Sequence, residues 1–422
     1  MNIMRYLTFL ASTLILSSCS NFLTWHLDRG IHIANNDINN ASDITSFNKE
    51  IKTTTSINLN IDIIYNKSIN SGIQGNSGYL HMQKEDGVLY VVDTEGNLTG
   101  IDSDNGTILW NVDTKTEISS GLSIVNNSIC LGSAKAELLC YNLDSVTKNK
   151  YTPLLTSLSN LSSFSEYNSD VNIQLLTELA SPVQAINNLF LLKLDNDDLY
   201  LIDPDDNKLI WKSESQNISL RTKGASSPLI IDNSIIVARD NGSVSSYNMV
   251  DGTLEWFTII SSRSGRNDLE SQRDAEMDPV VSDRTLYYGH YQGELNALDI
   301  STGDIIWASP FSFVNNIAIS ENSIYGSTSD NFIVSIDKAS GFINWKDNID
   351  ASILTEPFII GNLLFVFTIE GRLYVYDKNE GHKVYKDDFN FELHPQTNFI
   401  IDKDKVYFYT QDGDIVHIKI TI

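Results

Sequence analysis

One short phrase recurs along the chain and limits the fold more than any other feature. Its clearest copy runs from Gly293 to Trp307, and related copies occupy residues 96–110, 242–256, 332–345 and 371–385. In its first part apolar residues alternate with small or polar ones, which is the pattern of a strand with two different faces. Asp299 and Gly303 then supply the residue types that start and close a turn. A phrase of this kind at a period of about 40–50 residues predicts a repeat architecture of short strands.

Each repeat carries signals for four antiparallel strands. Upstream of the phrase lies a second hairpin, seen most clearly in residues 235–242, where Asn241-Gly242 is a strong turn signal. Before that hairpin comes another strand, often opened by proline as at Pro228 and Pro279, and proline is tolerated at the first position of a strand. Four antiparallel strands per repeat form a propeller blade. We therefore predict an all-β fold, a β-propeller of four-stranded blades over residues 57–422.

An aromatic residue ends each phrase at the start of the next strand. This place is assigned to Trp110, Tyr151, Trp211, Trp256, Trp307, Trp345 and Tyr385, and to Tyr65 in the final blade. Five of the six tryptophans therefore share one structural position, which we expect to lie between neighbouring blades, where a large apolar area is buried. The second repeat is degenerate, with Tyr151 in place of tryptophan, and an insertion follows around residues 154–176.

The number of blades depends on the two ends of the chain. An eighth phrase begins at Gly413, but the chain ends at Ile422 before a fourth strand. Residues 60–69 are the candidate for that strand, and pairing the two would leave fewer exposed sheet edges. We predict eight blades, the last one closed by this N-terminal strand. Seven blades is the alternative if the weak second repeat forms none.

The first residues have the features of an export signal. A short basic start is followed by the apolar run 6–16 and by Ser17-Ser18-Cys19, and the run is too short to span a bilayer. Residues 16–19 resemble a bacterial lipobox, so we predict a lipoprotein signal peptide at residues 1–18 and lipidation of Cys19. The alternative is an ordinary signal peptide with a chance cysteine. Residues 19–56 are polar and lack apolar periodicity, which is typical of a flexible tether.

Two further cysteines and the net charge bear on location and partners. Cys130 and Cys140 lie on the two arms of one predicted hairpin, so they either form a disulfide or act as small packing residues. The formal net charge is −25, from 29 basic and 54 acidic residues. A field of this sign disfavours nucleic acid and anionic lipid surfaces as partners.

Motifs for catalysis are missing from the sequence. The seven histidines show no metal-ligand spacing, and there is no nucleophile elbow or phosphate-binding loop. The blade phrase resembles that of quinoprotein dehydrogenases, but those enzymes have a vicinal cysteine pair and long insertions lining the cofactor site. We therefore expect no cofactor, no metal and no enzymatic activity. A quinoprotein-like dehydrogenase and a carbohydrate-binding or adhesion propeller remain the alternatives.

Lipobox, tether and short blades together resemble the BamB family, lipoprotein subunits of the outer-membrane β-barrel assembly machinery. Two segments are more specific than the repeat. Residues 218–221 and 225–228 resemble the family's Leu-Ser-Leu-Arg stretch before a proline-opened strand, and residues 265–279 resemble its loop of Glu, Arg, Asp-x-Asp and Pro. In both segments one residue departs from the family pattern: Ile218 replaces a leucine and Glu276 an aspartate.

The resemblance implies a non-catalytic scaffold in the outer membrane that faces the periplasm. In the family these loops contact the periplasmic POTRA domains of BamA, the barrel-inserting subunit. Carried over by position, the contact residues would be Ile218, Leu220, Arg221, Asp274 and Glu276, with Leu220 as an apolar anchor and Arg221 as a hydrogen-bond donor. The alternative for Arg221 is an ordinary surface residue at a blade edge. Other assembly-machinery subunits and unfolded barrel precursors are the further partners implied.

Overall fold

The computed structural model describes most of the chain after residue 58. The described ranges are 59–73, 80–148, 169–215, 226–260, 277–290, 293–313, 315–350 and 353–422, with the backbone of residues 32–33 and 165–166. Residues 1–31 and 34–58 lie outside these ranges, and so do the predicted signal peptide, Cys19 and nearly all of the predicted tether.

The strands follow one another as the repeat predicts. In the first half of the chain they are β1 (His32–Ile33), β2 (Asn60–Ser68), β3 (Gln83–Glu85), β4 (Val88–Val92), β5 (Asn97–Asp102), β6 (Ile108–Asp113), β7 (Ile118–Val125), β8 (Ser128–Ser133), β9 (Glu137–Asn142), β10 (Ser165–Glu166), β11 (Val171–Gln174), β12 (Gln184–Ile186), β13 (Leu189–Lys193), β14 (Leu199–Asp203) and β15 (Lys208–Ser213), with the short helix α1 (Leu143–Lys148) after β9.

The second half continues the same order. Its strands are β16 (Leu229–Ile231), β17 (Ser234–Arg239), β18 (Ser243–Asn248), β19 (Leu254–Ile259), β20 (Val280–Ser282), β21 (Thr285–Gly289), β22 (Leu295–Asp299), β23 (Ile305–Ser309), β24 (Ala318–Ile319), β25 (Ser323–Ser327), β26 (Phe332–Asp337), β27 (Ile343–Asn348), β28 (Phe358–Ile360), β29 (Leu363–Phe367), β30 (Arg372–Asp377), β31 (Lys383–Asp388), β32 (Ile400–Asp402), β33 (Lys405–Tyr409) and β34 (Asp414–Thr421).

These strands form eight sheets, each with four antiparallel strands at its centre, and each sheet is one blade. Blade 1 is β3–β6, blade 2 is β7, β8, β9 and β11, and blades 3 to 7 are β12–β15, β16–β19, β20–β23, β24–β27 and β28–β31. Blade 8 is β32, β33 and β34 with β2 as its outermost strand. The eight-bladed all-β propeller is confirmed, and the seven-bladed alternative is wrong.

The ring closes where the two ends of the propeller meet. Strand β2 pairs antiparallel with β34, and Tyr65 lies opposite His417 in the register. The prediction that an N-terminal strand completes the last blade is therefore confirmed. Closure in this way pairs an edge of the first segment with an edge of the last one, so neither is left exposed.

Blade 2 forms, but its fourth strand is not where the sequence pattern placed it. Strand β11 pairs antiparallel with β9, and Val171 lies opposite Cys140. In the other blades the residue at this register position is aromatic, as with Trp110 opposite Gly100. Tyr151 itself lies outside the described residues, so the assignment of Tyr151 to this place is corrected to Val171. The physical reason is the insertion, whose end at residues 171–174 supplies the strand.

Two blades carry a fifth strand on their outer edge. Strand β1 pairs parallel with β23 of blade 5, and β10 pairs parallel with β6 of blade 1. Both extra strands cover backbone groups that an outermost strand would otherwise leave unpaired. None of the described helices is long and apolar enough to cross a membrane.

The repeated aromatic residues lie between blades. The indole Nε1 of Trp211, Trp256, Trp307 and Trp345 donates to the carbonyl of Met249, Ile300, Lys338 and Lys378 in the next blade, at 3.2, 3.0, 3.2 and 2.9 Å. Each ring packs on a glycine of that blade, namely Gly252, Gly303, Gly341 and Gly381. Tyr65 does the same across the closure, packing on Gly106 and donating to the carbonyl of Ser103 at 3.0 Å.

Two aromatic positions differ from this pattern. Trp110 is buried in the same hydrophobic cluster as Leu143 and Val146 of α1, because the helix replaces the glycine turn of blade 2. Tyr385 donates from its hydroxyl to Asp387 Oδ2 at 2.7 Å within its own blade. The contact of an aromatic ring with a glycine of the next blade is thus present at most of the junctions between blades but not at all of them.

Candidate partner-binding face

The predicted contact residues lie in two segments that the structure does not describe. Ile218, Leu220 and Arg221 fall within residues 216–225, and Asp274 and Glu276 fall within residues 261–276. The structure does describe the residues that flank both segments. The candidate site is therefore built from those flanking residues and from what holds them in place.

Both segments belong to the links between consecutive blades. Residues 214–228 join blade 3 to blade 4, residues 260–279 join blade 4 to blade 5, and these are the two longest links between blades. Strands in a blade alternate in direction, so these links emerge on the same side as the turn between the second and third strands. Backbone bonds confirm this placement, since the Ile260 amide donates to the Gly242 carbonyl at 3.0 Å. We call this side of the propeller the connection face.

Three bonds from other parts of the propeller hold the ends of the first segment. The Ser215 amide donates to Asp198 Oδ1 at 2.7 Å. At the other end, Lys193 Nζ donates to the Ser226 carbonyl at 3.1 Å, and the Ser227 amide donates to Asp278 Oδ1 at 2.6 Å. Bonds to charged groups are shorter and stronger than neutral ones. Both ends of the segment are therefore anchored to the framework.

The second segment is anchored at its C-terminal end. Met277 is buried, with 1% of its surface exposed, and belongs to the hydrophobic cluster of blades 4 to 6. Next to it, the Asp278 amide donates to Asn316 Oδ1 at 2.8 Å. Asp278 thus contacts blade 4 through its carboxylate and the start of blade 6 through its backbone.

A buried charged cluster contacts the described C-terminal end of the first link at Ser226. The ammonium of Lys193 also donates to the Ala238 carbonyl at 2.9 Å and lies 3.4 Å from Asp197 Oδ1, and the two side chains are 1% and 2% exposed. A buried ion pair is tolerated only when further hydrogen bonds satisfy both partners. Here the Asp240 amide donates to Asp197 Oδ2 at 3.0 Å, which supplies one of them.

Arg239 extends this cluster toward the outer strands. Its guanidinium donates to the Asp197 carbonyl, to Tyr247 Oη at 2.9 Å and to Ser213 Oγ at 3.2 Å. Its own carbonyl accepts from His290 Nε2 at 3.0 Å. The planar fork of arginine suits this multiple bonding. The turns of blades 3, 4 and 5 are thereby tied together on the connection face.

Polar residues just before the first strand of successive blades form a chain of bonds around the ring. We call Asp278, Asn316, Glu356 and Asn398 the strand-start ring. Glu356 Oε1 accepts from the Phe399 amide at 3.3 Å, and Asn398 Oδ1 accepts from the Met82 amide at 3.2 Å. Each bond joins one blade to the next, so the ring links blades 4 to 8 with blade 1.

The two carboxyls of the strand-start ring are enclosed by neighbouring groups although their residues keep some contact with solvent. Burial raises the pKa of Asp278, while the Ser227 amide and the Lys193 ammonium oppose that rise. Burial raises the pKa of Glu356 to about 7, against the hydrogen bonds from Phe399 and Asn316. Desolvation dominates in both cases.

This arrangement is suited to holding the ends of the links between blades. Several of its polar groups bond to backbone amides or carbonyls of a neighbouring blade, as Lys193 does to the carbonyls of Ser226 and Ala238. Within the part of the chain that the structure describes, no three His, Cys, Asp or Glu side chains come together as metal ligands. The cluster fixes the described ends of the two links on the connection face, and binding residues in proteins are often carried by connecting segments that a rigid scaffold positions.

Sequence patterns missed the anchoring residues. Lys193 ends the apolar strand Leu189–Lys193 and Arg239 ends the apolar strand Ser234–Arg239. A charged residue inside or at the end of a buried run is a signal that could have found them, since such residues are rarely buried without a partner. Asp278 carried a weaker signal, its place directly before Pro279.

Comparison with known proteins identifies the family. The family model described as outer membrane protein assembly factor BamB matches residues 94–347 and 330–421. The protein of that name from Escherichia coli K12 is 23% identical, and the alignment covers 97% of each chain. The Legionella pneumophila protein is 32% identical over 39% of this chain and 43% of its own length, and the Yersinia pestis protein is 24% identical over 76% and 79%.

Solved structures agree on the fold. The crystal structure of BamB from Moraxella catarrhalis superposes with a TM-score of 0.71 at 16% identity and covers 85% of this chain and 99% of that one. A quinohemoprotein alcohol dehydrogenase from Comamonas testosteroni superposes with a TM-score of 0.63 at 9% identity, over 85% and 76%. Likeness at these identities concerns the fold alone. The family model, which spans most of the propeller, shows that this chain belongs to the BamB family of outer membrane protein assembly factors.

Proposed function

We propose that the protein is a non-catalytic scaffold of the outer-membrane β-barrel assembly machinery and that it binds the POTRA domains of BamA. The observation that carries the proposal is the anchoring of two long neighbouring links on one face of the propeller. Both links contain the residues that resemble the family's contact positions. A lipid on Cys19 would tether the propeller to the outer membrane on its periplasmic side, with other assembly subunits and unfolded barrel precursors as further partners.

The contact would rest on a small number of residues. Interfaces are dominated by a few anchors, and arginine is enriched among them. Leu220 would supply apolar area and Arg221 charge-assisted hydrogen bonds, with Ile218 beside them. Asp274 and Glu276 on the next link would add acidic contacts. A chain with a net charge of −25 also favours a basic patch on the partner.

Family membership favours this role over the two alternatives. The relatives reported above are named as assembly factors, whereas the quinohemoprotein dehydrogenase shares the fold at 9% identity. A dehydrogenase would oxidise alcohols or sugars when supplied with quinone and calcium. A carbohydrate-binding or adhesion propeller would bind glycans at the cell surface.

Binding of the full-length lipoprotein in mild detergent to the POTRA region of BamA tests the proposal. We expect Leu220→Ala and Arg221→Ala each to weaken binding by more than about 1 kcal/mol, or roughly fivefold. Leu209→Ala and Arg284→Ala are matched controls, because both residues lie near turns on the opposite face. Wild-type affinity in both test variants, with unchanged melting temperature, would exclude this contact.

A further inference from the structure

A disulfide bond lies at the junction between blades 2 and 3. Cys130 on β8 and Cys140 on β9 are directly opposite each other in the sheet and are joined by this bond. Cys130 is 0% exposed and Cys140 is 2% exposed. The folded propeller therefore shields both sulfur atoms from solvent.

Blade 3 supplies one side of the enclosure around the sulfur atoms. The two cysteines share a hydrophobic cluster with Phe190 and Leu192 of β13 and with Ile202 of β14. The other buried members of this cluster are apolar as well. Cysteines enclosed by apolar side chains are chemically inert, because thiol–disulfide exchange needs a thiolate and access to the sulfur atom. The bond therefore cannot form by exchange while blade 3 is packed on blade 2.

We propose that a thiol oxidase forms this disulfide on the open β8–β9 hairpin, before blade 3 packs on blade 2. One cysteine thiolate attacks the disulfide of the oxidase, which forms a mixed disulfide and releases one oxidase thiol. The second cysteine thiolate attacks the protein sulfur of the mixed disulfide, which forms the Cys130–Cys140 bond and releases the second oxidase thiol. Two electrons and two protons thus pass from the cysteine pair to the oxidase, which is reduced to a dithiol.

The timescales of the competing steps favour a catalyst. A hairpin forms within about 1–10 μs, and the two cysteines are ten residues apart, so β8 and β9 bring the sulfur atoms together without the rest of the propeller. Uncatalysed disulfide formation takes from seconds to hours, whereas the docking of folded units takes from about milliseconds to minutes. Slow oxidation would therefore lose the competition with blade packing, and a fast oxidant is needed at this stage.

The order of the chain leaves time for the enzyme to act. Cys140 precedes Phe190, the covering residue of blade 3, by about 50 residues. Synthesis at about 5–20 residues per second completes this part of the chain about 3–10 s later. An oxidase that meets the chain as it emerges therefore finds the sulfur atoms uncovered.

Delayed addition of an oxidant to the refolding full-length protein tests the order. Reduced, denatured protein is diluted into refolding buffer with mild detergent, and oxidised glutathione is added after increasing delays. Tryptophan fluorescence follows folding, and alkylation of free thiols with mass spectrometry measures the Cys130–Cys140 bond. We expect bond formation to become at least about a hundredfold slower once the propeller has folded, because exchange then waits for local opening. A reduced chain that folds only after oxidant arrives supports the same order, since packing then waits for the bond.

Two phenylalanines provide matched variants. Phe190 of blade 3 lies in the cysteine cluster, and Phe408 lies in the cluster that blades 7 and 8 share. Each is buried on the second strand of its blade. In folded, reduced protein, Phe190→Ala should speed the reaction with oxidised glutathione by about tenfold or more, because it opens the cover over the sulfur atoms. Phe408→Ala should leave the rate within about twofold of wild type.

Each outcome decides one part of the inference. Folded, reduced protein that reacts as fast as the unfolded chain overturns the order, because the sulfur atoms would then be accessible after packing. Equal acceleration by Phe190→Ala and Phe408→Ala overturns the role of blade 3, and if Phe190→Ala does not fold, delayed addition to the wild type decides. With oxidant present from the start, the thiol oxidase DsbA should give a higher early yield than glutathione, and equal yields would overturn the need for a catalyst. Binding to BamA enters none of these measurements, so the proposed function is tested separately.

Discussion

Blade 5 and blade 2 meet their neighbours in different ways. Trp307 of blade 5 is 3% exposed, packs on Gly341 of blade 6 and donates to the Lys338 carbonyl at 3.2 Å. Blade 2 places Val171 at the equivalent position and has helix α1 instead of a glycine turn. Blade 2 also contains a disulfide bond between Cys130 and Cys140, which lie directly opposite each other on β8 and β9.

The difference shows what the aromatic position requires. A large ring between blades packs on a glycine of the next blade, as Trp307 does on Gly341, while Ala297 lies opposite it in its own blade. In blade 2 the position of Ala297 is taken by Cys140, whose sulfur is bonded across the sheet to Cys130. The covalent bond strengthens the blade internally, whereas the tryptophan strengthens the contact between blades.

Among the substitutions that test this difference, Trp307→Ala should lower the stability of the protein most. It removes a buried ring and leaves the Lys338 carbonyl without its indole donor, so we expect a loss of about 3–5 kcal/mol in the free energy of unfolding. Denaturant titration followed by fluorescence and circular dichroism measures the change. A loss below about 1 kcal/mol would mean that the ring does not hold the blades together.

Two glycines provide the control for the docking contact. Gly341 and Gly87 have positive φ of 75° and 78°, so alanine is strained at both. A Cβ at Gly341 would lie 2.6 Å from the Trp307 ring, whereas one at Gly87 meets nothing within 4 Å. Gly341→Ala should therefore lower the free energy of unfolding more than Gly87→Ala does. Equal losses would contradict close packing of Trp307 on Gly341.

Removing the disulfide should have the second-largest effect. The two cysteines are ten residues apart, and a loop of this size contributes about 2–3 kcal/mol in the chain-entropy account. The free energy of unfolding of the double variant Cys130→Ala, Cys140→Ala, measured by denaturant titration under oxidising conditions, should be lower than that of the wild type by about that amount. Because it shares no partner with Trp307, its loss should add to that of Trp307→Ala within about 0.5 kcal/mol. Equal stability of wild type and variant would leave the cysteines as packing residues only.

The sequence predicted the blades well because their signals are local. Strand alternation, turn residues and the aromatic position all lie within one phrase, so the junctions from blade 3 to blade 7 could be expected. Blade 2 departs from prediction because its fourth strand follows an insertion, and Val171 carries no aromatic signal. Closure by residues 60–68 could be inferred only because the last repeat lacked a strand.

The candidate site was only partly predictable for the opposite reason. Lys193 meets Ser226, and Ser227 meets Asp278, through contacts between different blades. Such contacts depend on how blades pack side by side, which no local pattern records. The resemblance pointed to the two links, but the residues that anchor them were visible only in three dimensions.

The closure between blades 8 and 1 has the same aromatic contact through Tyr65 but places a histidine beside it, so acid should weaken this junction. Opposite Tyr65, where blade 1 has Gly100 and blade 5 has Ala297, lies His417. Its side chain is 3% exposed and packs on Tyr65 and Tyr407 with ring centroids 5.2 and 4.4 Å away. Burial lowers the pKa of His417 to about 4, with Lys405 adding to the effect. The unfolded chain binds this proton near pH 6.5, so stability falls as the pH drops from that value toward 4.

Between about pH 7.5 and pH 5 the free energy of unfolding of the wild type should fall by about 2 kcal/mol more than that of His417→Phe, because each pKa unit corresponds to about 1.4 kcal/mol. Thermal unfolding of both proteins across this range measures the difference, and parallel pH profiles would show that the histidine does not couple the closure to pH.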